Sequence, residues 1–188
     1  MKPSDYLAAI LEYKRVEIQR LYDNGGRDYF LAKMTHLDRP SFFFSQSIAV
    51  ESRLHLIAEL KQASPSKGVI NSNFNPPVLA QTYLSAGATC LSILTEQHYF
   101  KGHVYYIDSV RGVCSAPILR KDFIIDAIQV LESKVIGADA ILLNLIVLSS
   151  FILDAYAYSS GGIVGYSIGS KNIKLFNNVI KNSFLLTT

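Results

Sequence analysis

From residue 54 onward the chain alternates between short apolar runs and amphipathic stretches, and this alternation limits the folds open to it more than any other feature. Leu54–Leu60, Thr89–Thr95, Pro117–Arg120 and Asp139–Leu145 read as strands, rich in Ile, Leu and other apolar residues. Pro76–Ala86, Val104–Val113, Asp126–Ile136 and Val147–Tyr158 read as helices between and after them. Gly87-Ala88 and Gly137-Ala138 are turn pairs, each just ahead of a strand. The units recur roughly every 25 to 30 residues, the pattern of a parallel sheet with helical crossovers. Alternation alone does not separate a closed barrel from an open doubly wound sheet. No GxGxxG follows the first strand, which tilts the reading toward a barrel.

Ahead of the alternation, residues 4–22 predict a helix. Ser4 is the expected cap, and Leu7, Ile10, Leu11, Ile18, Leu21 and Tyr22 share one face. Asn24-Gly25-Gly26 stops it. Residues 27–50 carry no single period, and Phe42-Phe43-Phe44 reads as core packing. The expected organisation is an N-terminal helical extension (1–50), the first half of a barrel (51–146) and a divergent tail (147–188).

Composition narrows the class of partner. The chain of 188 residues is 49% apolar and 18% charged, the balance of a folded domain. A net charge of +3 weakly favours anionic ligands and falls short of a nucleic-acid footprint. Cys90 and Cys114 lie in apolar surroundings without metal-ligand or CxxC spacing, so both are expected to be buried and reduced, as in a cytoplasmic protein. No metal site is expected. The N-terminus lacks the apolar core of a signal peptide. The longest apolar run, Ala140 to Leu153, is broken by Asn144, Ser149 and Ser150 and is shorter than the roughly 18 residues of a membrane span.

The chemistry concentrates at the ends of the strands. Glu59 and Lys61 are two residues apart, so on a strand both project to one face. A carboxylate beside an ammonium at the mouth of a strand suits an anionic substrate and proton transfer. Without further context, Glu-x-Lys is more often a surface ion pair, and Arg120-Lys121-Asp122 an exposed charged turn. The four histidines, His36, His55, His98 and His103, are scattered and receive no role. Gly165–Lys171 has glycines and a lysine in the wrong order for a phosphate-binding P-loop.

Four ordered segments resemble the indole-3-glycerol-phosphate synthase family: Leu56–Gly68 with Glu-Leu-Lys-Gln-Ala-Ser-Pro-Ser-Lys-Gly, Ser92–Gly102, Pro117–Ile124 with Leu-Arg-Lys-Asp-Phe, and Gly137–Leu143. The resemblance covers roughly residues 50–146. It implies a partial (β/α)8 TIM-type barrel of four to five strand–helix units, with the site on the C-terminal strand ends. It implies a carboxy-lyase of tryptophan biosynthesis. Such an enzyme converts 1-(2-carboxyphenylamino)-1-deoxyribulose 5-phosphate to indole-3-glycerol phosphate without a cofactor. On that resemblance Lys121 is the general acid, Lys61 holds the anionic substrate and assists later proton steps, and Glu59 pairs with the lysines and helps dehydration. Ser64 is a substrate contact, and Phe100 and Phe123 wall the anthranilate ring.

After Leu145 the chain departs from the family pattern. No segment resembles the fifth strand with its second glutamate. Residues 162–176 weakly resemble the sixth strand, with Lys171 where the family has arginine and Gly169 or Ser170 where it has asparagine. Strands seven and eight, which carry the phosphate loops, have no counterpart. The expectation is a truncated chain, with self-association or a complementing barrel fragment as partner. The alternative function is an inactive remnant or half-barrel subunit. A phosphoribosylanthranilate isomerase on the same broad fold is disfavoured, because its acid–base pair differs.

Overall fold

A computed structural model of the chain describes residues 3–35, 43–49 and 54–143. Met1–Leu143 forms one compact unit. The helix expected over 147–158 and the weak strand-six likeness over 162–176 lie outside the described residues.

Three helices come first: α1 (Pro3–Asp23), α2 (Gly26–Met34) and α3 (Phe43–Ile48). Proline opens α1, where a missing N–H costs nothing, so Ser4, the expected cap, is the second residue of the helix. Gly25, at φ 103°, turns the chain from α1 into α2, a conformation that favours glycine. The residues of α2 and α3 carry no single period. Phe44 is buried, as expected for that aromatic cluster.

The remaining elements are β1 (Ile57–Leu60), β2 (Ala63–Ser64), β3 (Gly68–Val69), α4 (Pro76–Ser85), β4 (Cys90–Leu94), α5 (Tyr105–Arg111), β5 (Ile118–Lys121), α6 (Ala127–Val135) and β6 (Ala140–Ile141). β1 starts three residues later than expected, and Leu54 and Leu56 before it are exposed. β1, β4, β5 and β6 form one parallel sheet in that order, and a helix links each strand to the next. Strand order follows chain order with no reversal. A doubly wound sheet would reverse at a switch point, so this progression is that of a partial (β/α)8 barrel. β2 and β3 pair as a small antiparallel hairpin inside what the sequence reads as a plain loop.

The strands bury one face against the helices. Leu60, Leu91, Ile93 and Ile118 join Ala80 of α4, Ile107 and Val110 of α5, and Ala138 in one core. Full burial of each large aliphatic side chain stabilises by about 1.5–3 kcal/mol. α4 is capped by Asn75, whose side chain accepts from Val78 N, with prolines in its first turn. α6 carries a complete capping box between Asp126 and Gln129. Arg111 of α5 donates to Gly137 O and to Asp139, which ties the end of that helix to the start of β6. α1 and α2 both pack on α6, and Tyr6 and Tyr13 of α1 meet Tyr99 and His98 on the loop after β4. Cys90 is buried in β4, but Cys114 is only half-buried, because it lies at the core's edge after α5. No described helix is long and apolar enough to cross a membrane.

Candidate active site

Parallel pairing aligns side chains in rows across the sheet. Glu59 pairs in register with Ser92, and Ser92 with Leu119; Leu94 pairs with Lys121 one row nearer the C-terminal ends. Glu59 and Lys121 therefore project from the face opposite the helices. Lys61, one residue beyond β1, continues the alternation of Glu59. The result is one constellation. Glu59 accepts from Lys61 Nζ at 2.5 Å through Oε1 and from Lys121 Nζ through Oε2. The three side chains are 28–37% exposed, so the cluster is open to a ligand and shielded from bulk water.

The electrostatics follow from this geometry. Partial burial pushes the Glu59 carboxyl up, but hydrogen bonds from Lys121 and Lys61, with their charges, outweigh it and hold the group below the ordinary carboxylate range. Glu59 stays ionised and locks two ammonium groups at the strand ends. This arrangement can bind an anion, donate a proton and accept one.

The other expected residues sit on the surrounding loops. Ser64 lies in the β2–β3 hairpin and is half-buried. Phe100 and Phe123 are half-buried on the loops after β4 and β5. The Phe100 carbonyl accepts from Ala63 N at 3.2 Å, which joins the loop after β4 to that after β1. The structure brings together Glu59, Lys61 and Lys121, and no ring contact joins Phe100 or Phe123 to them. Lys67 is exposed. His98 stacks on Tyr13, and His103 Nδ1 accepts from Tyr105 N. Among the described residues no group of His, Cys, Asp and Glu is placed to hold a metal.

The surroundings of Lys121 differ from an exposed charged turn. Arg120 and Asp122 are 1% and 4% exposed. Alternation turns Arg120 toward the helical side, where it binds Asp122, Glu132 of α6, Thr95, Ser133 and the Gln129 carbonyl. Asp122 accepts from Thr95 Oγ1 at 2.6 Å and from Phe123 N at 2.8 Å. Lys14 of α1 reaches Asp122 at 2.8 Å and Glu17 at 2.6 Å and is itself 1% exposed. Burial pushes the Asp122 carboxyl up, and Lys14 and Arg120 pull it well below its usual value. The sequence did hold a signal for Lys14. It continues the stripe Leu7, Ile10, Leu11, Ile18, Leu21 at i+3 and i+4, an apolar position occupied by a cation.

A parallel sheet that grows strand by strand in chain order, with a carboxylate and two ammonium groups on its C-terminal ends, has the architecture of part of a (β/α)8 barrel. Comparison with known proteins specifies which. The family model for indole-3-glycerol phosphate synthase matches residues 7–162. The chain is 41% identical over 152 residues to indole-3-glycerol phosphate synthase of Chlorobium chlorochromatii, covering 80% of this chain and 59% of the relative. It is 40% identical over 162 residues to that of Burkholderia ambifaria, covering 84% and 62%. With that of Burkholderia vietnamiensis it shares 47% over 120 residues, covering 62% and 46%. The chain belongs to the indole-3-glycerol phosphate synthase family. It spans about half to three-fifths of the length of these curated relatives.

Proposed function

We propose that the site performs the reaction of its family: ring closure of 1-(2-carboxyphenylamino)-1-deoxyribulose 5-phosphate to indole-3-glycerol phosphate, releasing carbon dioxide and water. The observation that carries this reading is the Glu59 carboxylate bridging Lys61 and Lys121 at the strand ends. As the aromatic ring carbon attacks the ketone, negative charge develops on its oxygen. Lys121 donates the proton there and stabilises the alkoxide. Loss of the carboxylate as carbon dioxide leaves its electron pair in the ring. Expulsion of the hydroxyl as water then needs a proton donor to that hydroxyl and an acceptor for one proton of the adjoining methylene carbon, roles for Lys61 and Glu59. Ser64 contacts the substrate, and Phe100 and Phe123 flank its anthranilate ring. The chemistry needs no cofactor, and the protein acts in the cytoplasm on an anionic, phosphorylated small molecule. In this reading 1–50 is the extension, 51–146 the first half of the barrel and 147–188 a divergent tail.

A second reading is a half-barrel that works with a complementing fragment or a second copy of itself. One observation favours it. Among the described residues β1 and β6 each pair with a single strand, and Ile57, Leu142 and Leu143 at those edges are exposed. Apolar strand edges of this kind seek a partner. The test is turnover of the purified chain, with Lys121→Ala as control and molecular mass measured alongside. Turnover abolished in the control supports the first reading, and a dimer whose dissociation abolishes turnover supports the second. A folded chain with no turnover, alone or as a dimer, refutes the first reading and leaves a half-barrel that needs a complementing fragment.

A further inference from the structure

We infer that Glu96 is the positioning residue for the aromatic wall of this site: its carboxylate fixes the backbone of residues 98–100 and so sets where Phe100 stands. The inference rests on the reading of Phe100 as a substrate wall, but the anchor itself stands on geometry. Glu96 follows β4 and is 1% exposed, although the loop it opens has Gln97 and His98 in solvent. Its Oε1 accepts from His98 N at 2.9 Å. Its Oε2 accepts from Tyr99 N at 2.8 Å and from Phe100 N at 3.0 Å. One buried carboxylate thus satisfies three successive backbone donors that no strand or helix partner serves.

The same residue closes the loop from its other end, where the Glu96 carbonyl accepts from Gly102 N at 2.7 Å. That closure brings Gly102 so near that a Cβ there would lie 2.4 Å from the Leu94 carbonyl oxygen. Residues 96–102 are therefore a tight loop wound around one side chain. Phe100 is held by its N–H, and its carbonyl in turn receives Ala63 N from the loop of Ser64. Through this chain of bonds Glu96 governs the spacing of the two loops that border the lysine cluster.

Glu96→Gln tests this with little change in volume. A glutamine has one acceptor oxygen. Turned toward Tyr99 and Phe100, it presents its NH2 to the His98 N–H. Amide exchange followed by NMR should quicken at His98 by about tenfold or more, given the strength of hydrogen bonds to charged groups. Smaller increases are expected at Tyr99, Phe100 and Ala63, with no change in α4. In the turnover assay KM should rise about tenfold with kcat within about threefold, because an aromatic wall binds ground and transition states alike. Glu96→Asp keeps the charge and should recover part of both effects. Unchanged exchange at residues 98–100 overturns the anchor. Quickened exchange with unchanged KM overturns its link to the site. Absence of turnover in the unmutated chain refutes the enzyme reading and the link with it, while the exchange result still decides the anchor.

Discussion

Lys14→Met should destabilise the protein by about 3 kcal/mol at neutral pH, a loss that traces to one buried carboxylate. Lys14 Nζ lies 2.8 Å from Asp122, and both side chains are almost wholly removed from water. At that distance an effective dielectric of about 20 gives an attraction of about 6 kcal/mol. Methionine no longer has to be dehydrated as a cation, and this recovers part of the attraction. Breaking a buried pair generally costs about 3–5 kcal/mol. The lower end applies because Arg120, Thr95 Oγ1 and Phe123 N remain on Asp122. The pH dependence carries the diagnostic sign. The folded-state pKa of Asp122 lies below its unfolded value of about 3.9, so the pair contributes fully above that value. The contribution fades as pH falls through the depressed folded pKa. Urea unfolding of both proteins at several pH values measures the difference. It should be largest near neutrality and shrink toward pH 3 and below. A loss under about 1 kcal/mol, or one independent of pH, would refute the assignment of the energy to this carboxylate.

Three other substitutions probe separate parts of the molecule. Gly102→Ala should lower stability by about 2 kcal/mol in chemical unfolding and loosen the loop after β4, because the new methyl meets the Leu94 carbonyl and backbone cannot yield cheaply. Asp126→Ala removes the cap of α6, whose oxygen accepts from Ile128 N and from Tyr22 of α1, and should cost about 1 kcal/mol in the same measurement. Glu59→Gln should keep the thermal transition within a few degrees and reduce turnover about 100-fold or more. In the unmutated chain, ionised Glu59 should sustain turnover to below about pH 4.3, the ordinary glutamate value, since its pKa is held down. An acid limb centred well above that value would show that another group controls the rate.

Several features of the site and fold can be read directly from local order. Glu59 and Lys61 share a face because strands alternate, and the structure joins them in one ion pair. The described helices after the first strand, α4, α5 and α6, fall within a residue or two of their expected ends, because prolines, Asn75, Asp126 and the Gly-Ala pairs signal starts and stops through short-range sterics and hydrogen bonds. The weak periods of residues 27–50 hid α2 and α3; α2 is held by contact with α6 and α1 instead of by a clean apolar stripe. The β2–β3 hairpin is two residues per strand, too short to leave a pattern.

The sequence by itself determined the alternating architecture and the two charges of the first strand, since both depend on neighbours a few residues away. Only the tertiary structure decided that Lys121 meets Glu59 across the sheet, that Arg120 and Asp122 on either side of it are buried, and that Lys14 completes them from the far end of the chain. A charged side chain read in isolation belongs in water, because burying it alone costs several kcal/mol. Its burial becomes favourable only when opposite charges and donors from remote segments arrive at hydrogen-bond distance, and that arrival is fixed by strand order and helix packing.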